Sequence, residues 1–199
     1  MALVDRIINL ETTDNITSAL FLTNDVAEAN MLKRAILSEI ETYTIDIVIF
    51  QTNTSPRHDE VIALRLGQLV IDHSRFVPPE SGNFRTHVEF RGPGEFTSDH
   101  IPELKFQYTT PIAVLKIGQS IICDVIVKLG QGKDHVKWRP VSKVMMTEET
   151  NGNGYIMTIK NIGMLTSRQI FDKGYAKIRD AAHRQPITLF SHPLVPRNL

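Results

Sequence analysis

A short loop, Gly130-Gln131-Gly132-Lys133-Asp134-His135, holds residue types that can cradle phosphates. A phosphate loop needs four residues between its glycines, then Lys and Ser or Thr opening a helix, so that backbone amides and the lysine converge on phosphate oxygens. Here one residue separates the glycines, Asp134 follows Lys133, and no helical pattern comes next. A β-hairpin turn is the simpler reading. A stand-alone nucleotide-binding enzyme using residues 130–135 stays as the alternative function. Seven histidines, at 58, 73, 87, 100, 135, 183 and 192, form no His-x-x-x-His pair, and none stands beside a cysteine, so no metal site is expected. Asp59 and Glu60 are sequence neighbours, which diverge on a helix, so Asp59 suits helix capping better than acid–base work. The only cysteine, Cys123, lies in a strand-like apolar run, where thiols are inert. It excludes an internal disulfide and any site needing several cysteines. There is no Gly-x-Ser-x-Gly elbow.

Arg34 differs in kind. It falls off the main apolar stripe of its helix, where an arginine is by default a solvated surface residue. Met31, however, gives that helix a second, semi-apolar face, and a helix with two such faces serves an interface.

The elements that must position these residues follow from periodicity. Residues 16–22 read as a strand. Asp25 and Glu28 have capping-box spacing, and Val26, Ala29, Leu32, Ile36 and Ile40 then mark one stripe of a helix reaching Glu41. Residues 44–51 are β-branched and make the clearest strand. Asp59 to Leu66 suits a short helix ended by Gly67. From Asp72 to Glu103, prolines and glycines punctuate loops and short strands, with weak alternation over 86–91. Strands are expected at 112–117, 120–129, 141–146 and 155–161. Thr166 and Gln169 form a second capping box, and Ile170, Phe171, Tyr175, Ile178 and Ala182 lie along one face of a helix to about His183. The last 15 residues hold three prolines and read as a tail. The order implies an α+β fold: one domain of residues 1–53 and 148–184, interrupted by a β-rich insert, 54–147, with the tail at 185–199.

Composition narrows the function. The 199 residues carry 22 Lys and Arg against 22 Asp and Glu, a formal net charge of zero. A protein gripping DNA phosphates over a wide surface shows a basic excess, so a DNA-binding regulator is disfavoured. No run of 18 apolar residues exists, so no membrane span is expected. Acidic residues within the first 20 positions argue against a signal peptide. A soluble, intracellular scaffold or interaction protein without cofactor fits better than an enzyme.

The run from Asn30 to Asp46, Asn-Met-Leu-Lys-Arg-Ala-Ile-Leu-Ser-Glu-Ile-Glu-Thr-Tyr-Thr-Ile-Asp, resembles the signature of RNA polymerase α-type subunits. That family includes bacterial α, its archaeal counterpart and the third-largest subunit of eukaryotic polymerase II. Asn53-Thr-Ser and Asp59-Glu-Val-Ile-Ala-Leu-Arg-Leu-Gly67 are closer to the archaeal and eukaryotic branch. Residues 92–101 and 130–141 resemble the family's inserted domain, and 155–183 its return to the dimerisation domain. The resemblance covers nearly the whole chain.

It implies a non-catalytic assembly subunit that heterodimerises with a smaller α-like subunit and docks the second-largest subunit. Other small polymerase subunits join later, and DNA is reached only through the complex. The dimer interface would comprise Val26, Ala29, Leu32, Ile36, Ile40, Ile170, Phe171, Tyr175 and Ile178. Arg34, Arg65, Lys133 and Trp138 would face the large subunits. Two departures stand out: Cys123 alone cannot supply the cysteine cluster many relatives carry, and Lys33 stands where arginine is common. The short, metal-free form suits a divergent, viral member.

Overall fold

Two runs of the chain that lie far apart in sequence build one sheet. The structure, a computed structural model, describes residues 6–78, 84–152 and 154–184, with side chains followed to Ala181. In order, the elements are β1 (Ile7–Thr13), β2 (Ile16–Phe21), α1 (Val26–Ser38), β3 (Glu41–Asn53), α2 (Asp59–Gly67) and β4 (Phe84–Arg91). There follow β5 (Gly94–Thr97), β6 (Pro111–Leu115), β7 (Ser120–Gln131), β8 (Val141–Glu148), β9 (Tyr155–Asn161) and α3 (Ser167–Arg184). The first sheet runs β1-β2-β9-β8 and is antiparallel throughout. A second sheet runs β3-β7-β4, and β5 pairs with β6. Antiparallel sheets with segregated helices make the α+β class expected from the sequence. The tail at 185–199 and the glycine-bearing stretch at 79–83 lie outside the described residues.

Helices α1 and α3 pack together on the first sheet. Phe21, Leu32, Ile36, Met157, Ile170 and Phe171 are fully buried in one core. The helices meet at Gly174, where an added Cβ would stand 2.7 Å from Ile36 Cγ1. Only glycine allows so close a crossing. The box at the start of α3 forms as its spacing predicts: the Thr166 amide donates to Gln169 Oε1 and the Gln169 amide to Thr166 Oγ1. The one at α1 does not. Asp25 accepts from the Ala27 amide, while the Glu28 carboxylate is drawn away to Arg6.

Several boundaries differ from the sequence reading. Strand β1 leaves no clear signal in sequence, because Asn9 adopts φ 54° and a register shift between Ile8 and Glu11 breaks the alternation. Helix α1 stops at Ser38, so Ile40 follows the helix rather than belonging to it, although it is buried in the same core. His58, not Asp59, is the N-cap of α2; the Asp59 carboxylate accepts from Asn53 Nδ2. The loop after β7 is not a hairpin turn, since β7 and β8 belong to different sheets. By sheet membership the chain leaves the first sheet after Phe21 and returns to it at Val141. β3 pairs with β7 over its whole length, and β8 pairs with β9.

The second sheet covers a core that includes Ile62, Leu66, Phe96, Ile112, Cys123 and Val125. His73 joins the two layers. Its amide donates to the Met164 carbonyl, and its Nε2 accepts from the Tyr43 amide at 3.1 Å. Burial pushes the imidazole pKa down. The folded state therefore prefers the neutral ring. The stability this ring contributes is present above the ordinary histidine value of about 6.5 and is lost as pH falls through the lower folded value. The urea midpoint should drop on acidification through that window, and by less in His73→Gln; an identical drop in both would contradict it.

Candidate partner interface

The start of the described chain clamps both helices. The Arg6 guanidinium donates to both oxygens of Glu28 on α1, at 2.7 and 2.8 Å, and to the Leu22 carbonyl at the end of β2. It also donates to Tyr175 Oη on α3 and lies 5.2 Å from the Phe21 ring centroid. A forked cation held by a carboxylate and two aromatic faces fixes the splay of α1 and α3. Nothing in the sequence near Arg6 signals this role, because its partners are 16 to 169 residues away. Arg6→Ala should cost about 1–3 kcal/mol, the usual range for charge-assisted hydrogen bonds, read from the urea midpoint. A change within about 0.5 kcal/mol, the surface-substitution range, would contradict the clamp.

The nine residues expected at the dimer interface are divided by the structure. Ala29, Leu32, Ile36, Ile40, Ile170, Phe171 and Ile178 are buried within this chain's own core. They share that core with residues of the first sheet such as Phe21, Met157 and Ile159. Tyr175 is half-buried under Arg6. Val26 alone of the nine is largely open, at 52 % exposure, and Met31, the residue marking the second face, is 43 % exposed. A groove of about 1000 Å³ borders Met31, and Val26 stands outside it. Met31 and Glu28 of α1 line it, with Tyr175, Ile178 and Ala181 of α3, and Lys133 closes one end. Acidic groups, Asp25, Glu28 and Glu39, come from the α1 side, and Lys177, Arg179 and Asp180 from α3. A cleft with apolar patches between charged margins can take an amphipathic helix.

The four residues expected to face large subunits have unlike surroundings. Arg34 is exposed on the outer side of α1, and Arg65 on α2 donates to the Ile112 carbonyl at 2.8 Å. Lys133 is exposed, and its amide donates to Ser38 O at the carboxyl end of α1. Trp138 is 8 % exposed and packs within this chain. Its ring sits where a Cβ on Gly130 would fall, its Nε1 donates to the Lys128 carbonyl, and its own carbonyl accepts from Thr42 Oγ1. Lys137 lies 4.5 Å from that ring's centroid and bonds Asp46 at 2.7 Å. Burial alone would raise the Asp46 carboxyl, but Lys137 and Lys128 outweigh it and hold it below the usual range.

This geometry turns the 130–135 loop away from phosphate chemistry. Its glycines make room for the Trp138 ring and for the Leu37 carbonyl oxygen. It crosses the carboxyl end of α1, where the helix dipole repels anions, whereas phosphates bind at the amino end.

A polar cluster on the outer face of the second sheet was also invisible in sequence. Asp124 of β7 accepts from Arg85 at 2.6 Å, from His87 of β4 and from Gln51 of β3. Arg85 and then His87 pull its carboxyl down to about 2. Cross-strand register alone brings these residues together. Beneath it, burial pushes the Cys123 thiol up to about 12, leaving a protonated, unreactive group. Among the described residues, no three His, Cys, Asp or Glu side chains gather in a way that could hold a metal, and no helix is long and apolar enough to cross a membrane.

Residues 20–182 match the family described as the RNA polymerase Rpb3/Rpb11 dimerisation domain. DNA-directed RNA polymerase subunit Rpo3 of Pyrococcus horikoshii is 33 % identical over 161 residues, covering 71 % of this chain and 61 % of that protein. The Archaeoglobus fulgidus subunit of the same name is 30 % identical over 181 residues, 77 % of this chain and 65 % of its own length. That of Thermococcus kodakarensis is 35 % identical over 127 residues, 58 % and 49 % of the two chains. The chain thus spans about half to two thirds of the length of these relatives.

Proposed function

This chain belongs to the RNA polymerase Rpb3/Rpb11 dimerisation-domain family, and from that premise we propose that it is a non-catalytic assembly subunit of a multisubunit DNA-dependent RNA polymerase. In this reading it works inside the cell and pairs with a smaller α-like subunit along the outer side of α1 and α3. The resulting platform receives the second-largest subunit at Arg34, with Lys133 and Arg65 as further contacts. Other small subunits bind elsewhere. Phosphoryl transfer and its Mg²⁺ belong to the largest subunits, and DNA is reached only through the complex.

One observation carries this reading. The helix pair on the first sheet borders a groove lined by Met31, Tyr175 and Ile178, and Val26 is exposed at the start of the same helix α1. Exposed apolar side chains along a groove mark a binding surface. The test is to purify the tagged chain from its native source and identify by mass spectrometry what comes with it. Two large polymerase subunits and one small α-like subunit in equal amounts are expected. A chain that purifies without any of them contradicts the proposal.

A further inference from the structure

The groove beside Met31 is built in part by the carboxyl-terminal half of α3. Tyr175, Ile178, Arg179, Asp180 and Ala181 all line it, so the chain departs from the groove's own wall. Helix α3 ends at Arg184, two residues before Pro186, a residue type that cannot continue a helix. The composition changes at the same point. The 18 residues of α3 include seven Asp, Lys and Arg, whereas residues 185–199 include one, Arg197. In their place stand Ile187, Leu189, Phe190, Leu194, Val195 and Leu199. Apolar side chains in such number gain free energy by leaving water. The first apolar surface within reach along the chain is that of Tyr175, Ile178 and Ala181, with Met31 of α1 in the same groove.

We infer that residues 185–199 fold back into this groove and must leave it before the smaller α-like subunit can pair there. This rests on the reading of the groove as that subunit's site, and it adds a regulatory step to it. The reach is sufficient. From Tyr175 to Ala181 the axis of α3 covers ~9 Å, at 1.5 Å per residue, and residues 186–190 in extended form cover about 16 Å. The space is sufficient too, since about 1000 Å³ is the upper end of what binding clefts offer. On the acidic margin, Glu28 and Asp180 are paired with Arg6 and Arg179. Asp25 and Glu39 have no ion pair among the described residues, and Arg197 supplies one cation for them. Tethering makes a weak contact enough. A segment held so close has an effective concentration of about 1 mM. An intrinsic dissociation constant of about 0.1 mM then fills the groove about ten times out of eleven and weakens partner binding about tenfold.

The experiment uses the full, dilute chain with two alternative pairs of introduced cysteines, oxidised by glutathione disulfide. Cys123 is fully buried, so the introduced thiols are the ones that react. Met31→Cys with Phe190→Cys should close an internal disulfide at least tenfold faster than Val114→Cys with Phe190→Cys, although Val114 on β6 is 65 % exposed. Closing it should lower capture of the small α-like subunit about tenfold or more relative to the same variant reduced, and a reductant should restore capture. Leu189→Glu with Phe190→Glu, in a chain without added cysteines, should bind that subunit about tenfold more tightly than the unaltered chain. Equal oxidation rates for the two cysteine pairs overturn the inference and leave the pairing reading intact. A disulfide that forms between two chains puts the segment in a second copy and overturns it as well. A preferential internal disulfide with unchanged capture shows that segment and subunit do not compete, which also overturns it. If the disulfide closes preferentially but the reduced chain captures no small subunit, the pairing reading fails and the contact of residues 185–199 with the groove stands.

Discussion

Phe171→Ala should lower the stability of the chain by about 3–5 kcal/mol, the range for deleting a buried aromatic ring. For a domain of this size that lowers the thermal midpoint by about 6–20 °C. Phe171 is fully buried in the core that joins α3 to the first sheet and α1. Alanine would leave a cavity in the same core as Ile36, beneath the crossing at Gly174 where the helices are closest. Chemical denaturation of the dilute, isolated chain measures the loss. The outcome also separates two readings of one stripe. A residue that waits for a partner contributes little to the isolated chain, so a change within about 0.5 kcal/mol would return Phe171 to the interface and contradict the core assignment.

The double substitution Val26→Glu and Met31→Glu should do the reverse. Both side chains are about half exposed on α1, so folding should be altered by no more than about 0.5 kcal/mol. Capture of the small α-like partner should weaken by about 30-fold to 1,000-fold, since a central apolar contact is worth about 2–4 kcal/mol and each change adds an unpaired carboxylate there. Surface plasmon resonance of the two proteins reads the change. Undiminished affinity would place the partner elsewhere on the molecule.

Much of the frame could be read from local pattern. β-branched runs at 44–51, 120–129 and 155–161 lie within β3, β7 and β9, because alternate side chains there are buried whatever the neighbouring strand. The Thr166–Gln169 box forms as written, since its partners lie within one turn. The signals that failed depend on distant groups. Glu28 has the right spacing to cap α1, yet Arg6, 22 residues away, outcompetes that backbone amide. Trp138 follows Gly130 by eight residues, and only the fold brings Gly130 against its ring. The stripe from Ala29 to Ile36 shows the limit most clearly. A period of 3.6 marks an apolar face and says nothing about whether the surface opposite belongs to the same chain. Here Ala29, Leu32 and Ile36 are buried within this chain, while Val26 at the start of the stripe and Met31 off it are exposed.

The central claim is that this outer side of α1 and α3 pairs with one smaller α-like subunit. Native mass spectrometry of the two chains expressed together tests it most directly. The account predicts a one-to-one complex that is lost in the Val26→Glu, Met31→Glu variant and kept in Arg34→Ala. A chain that stays monomeric in the presence of that partner, or a complex indifferent to the double substitution, would contradict it.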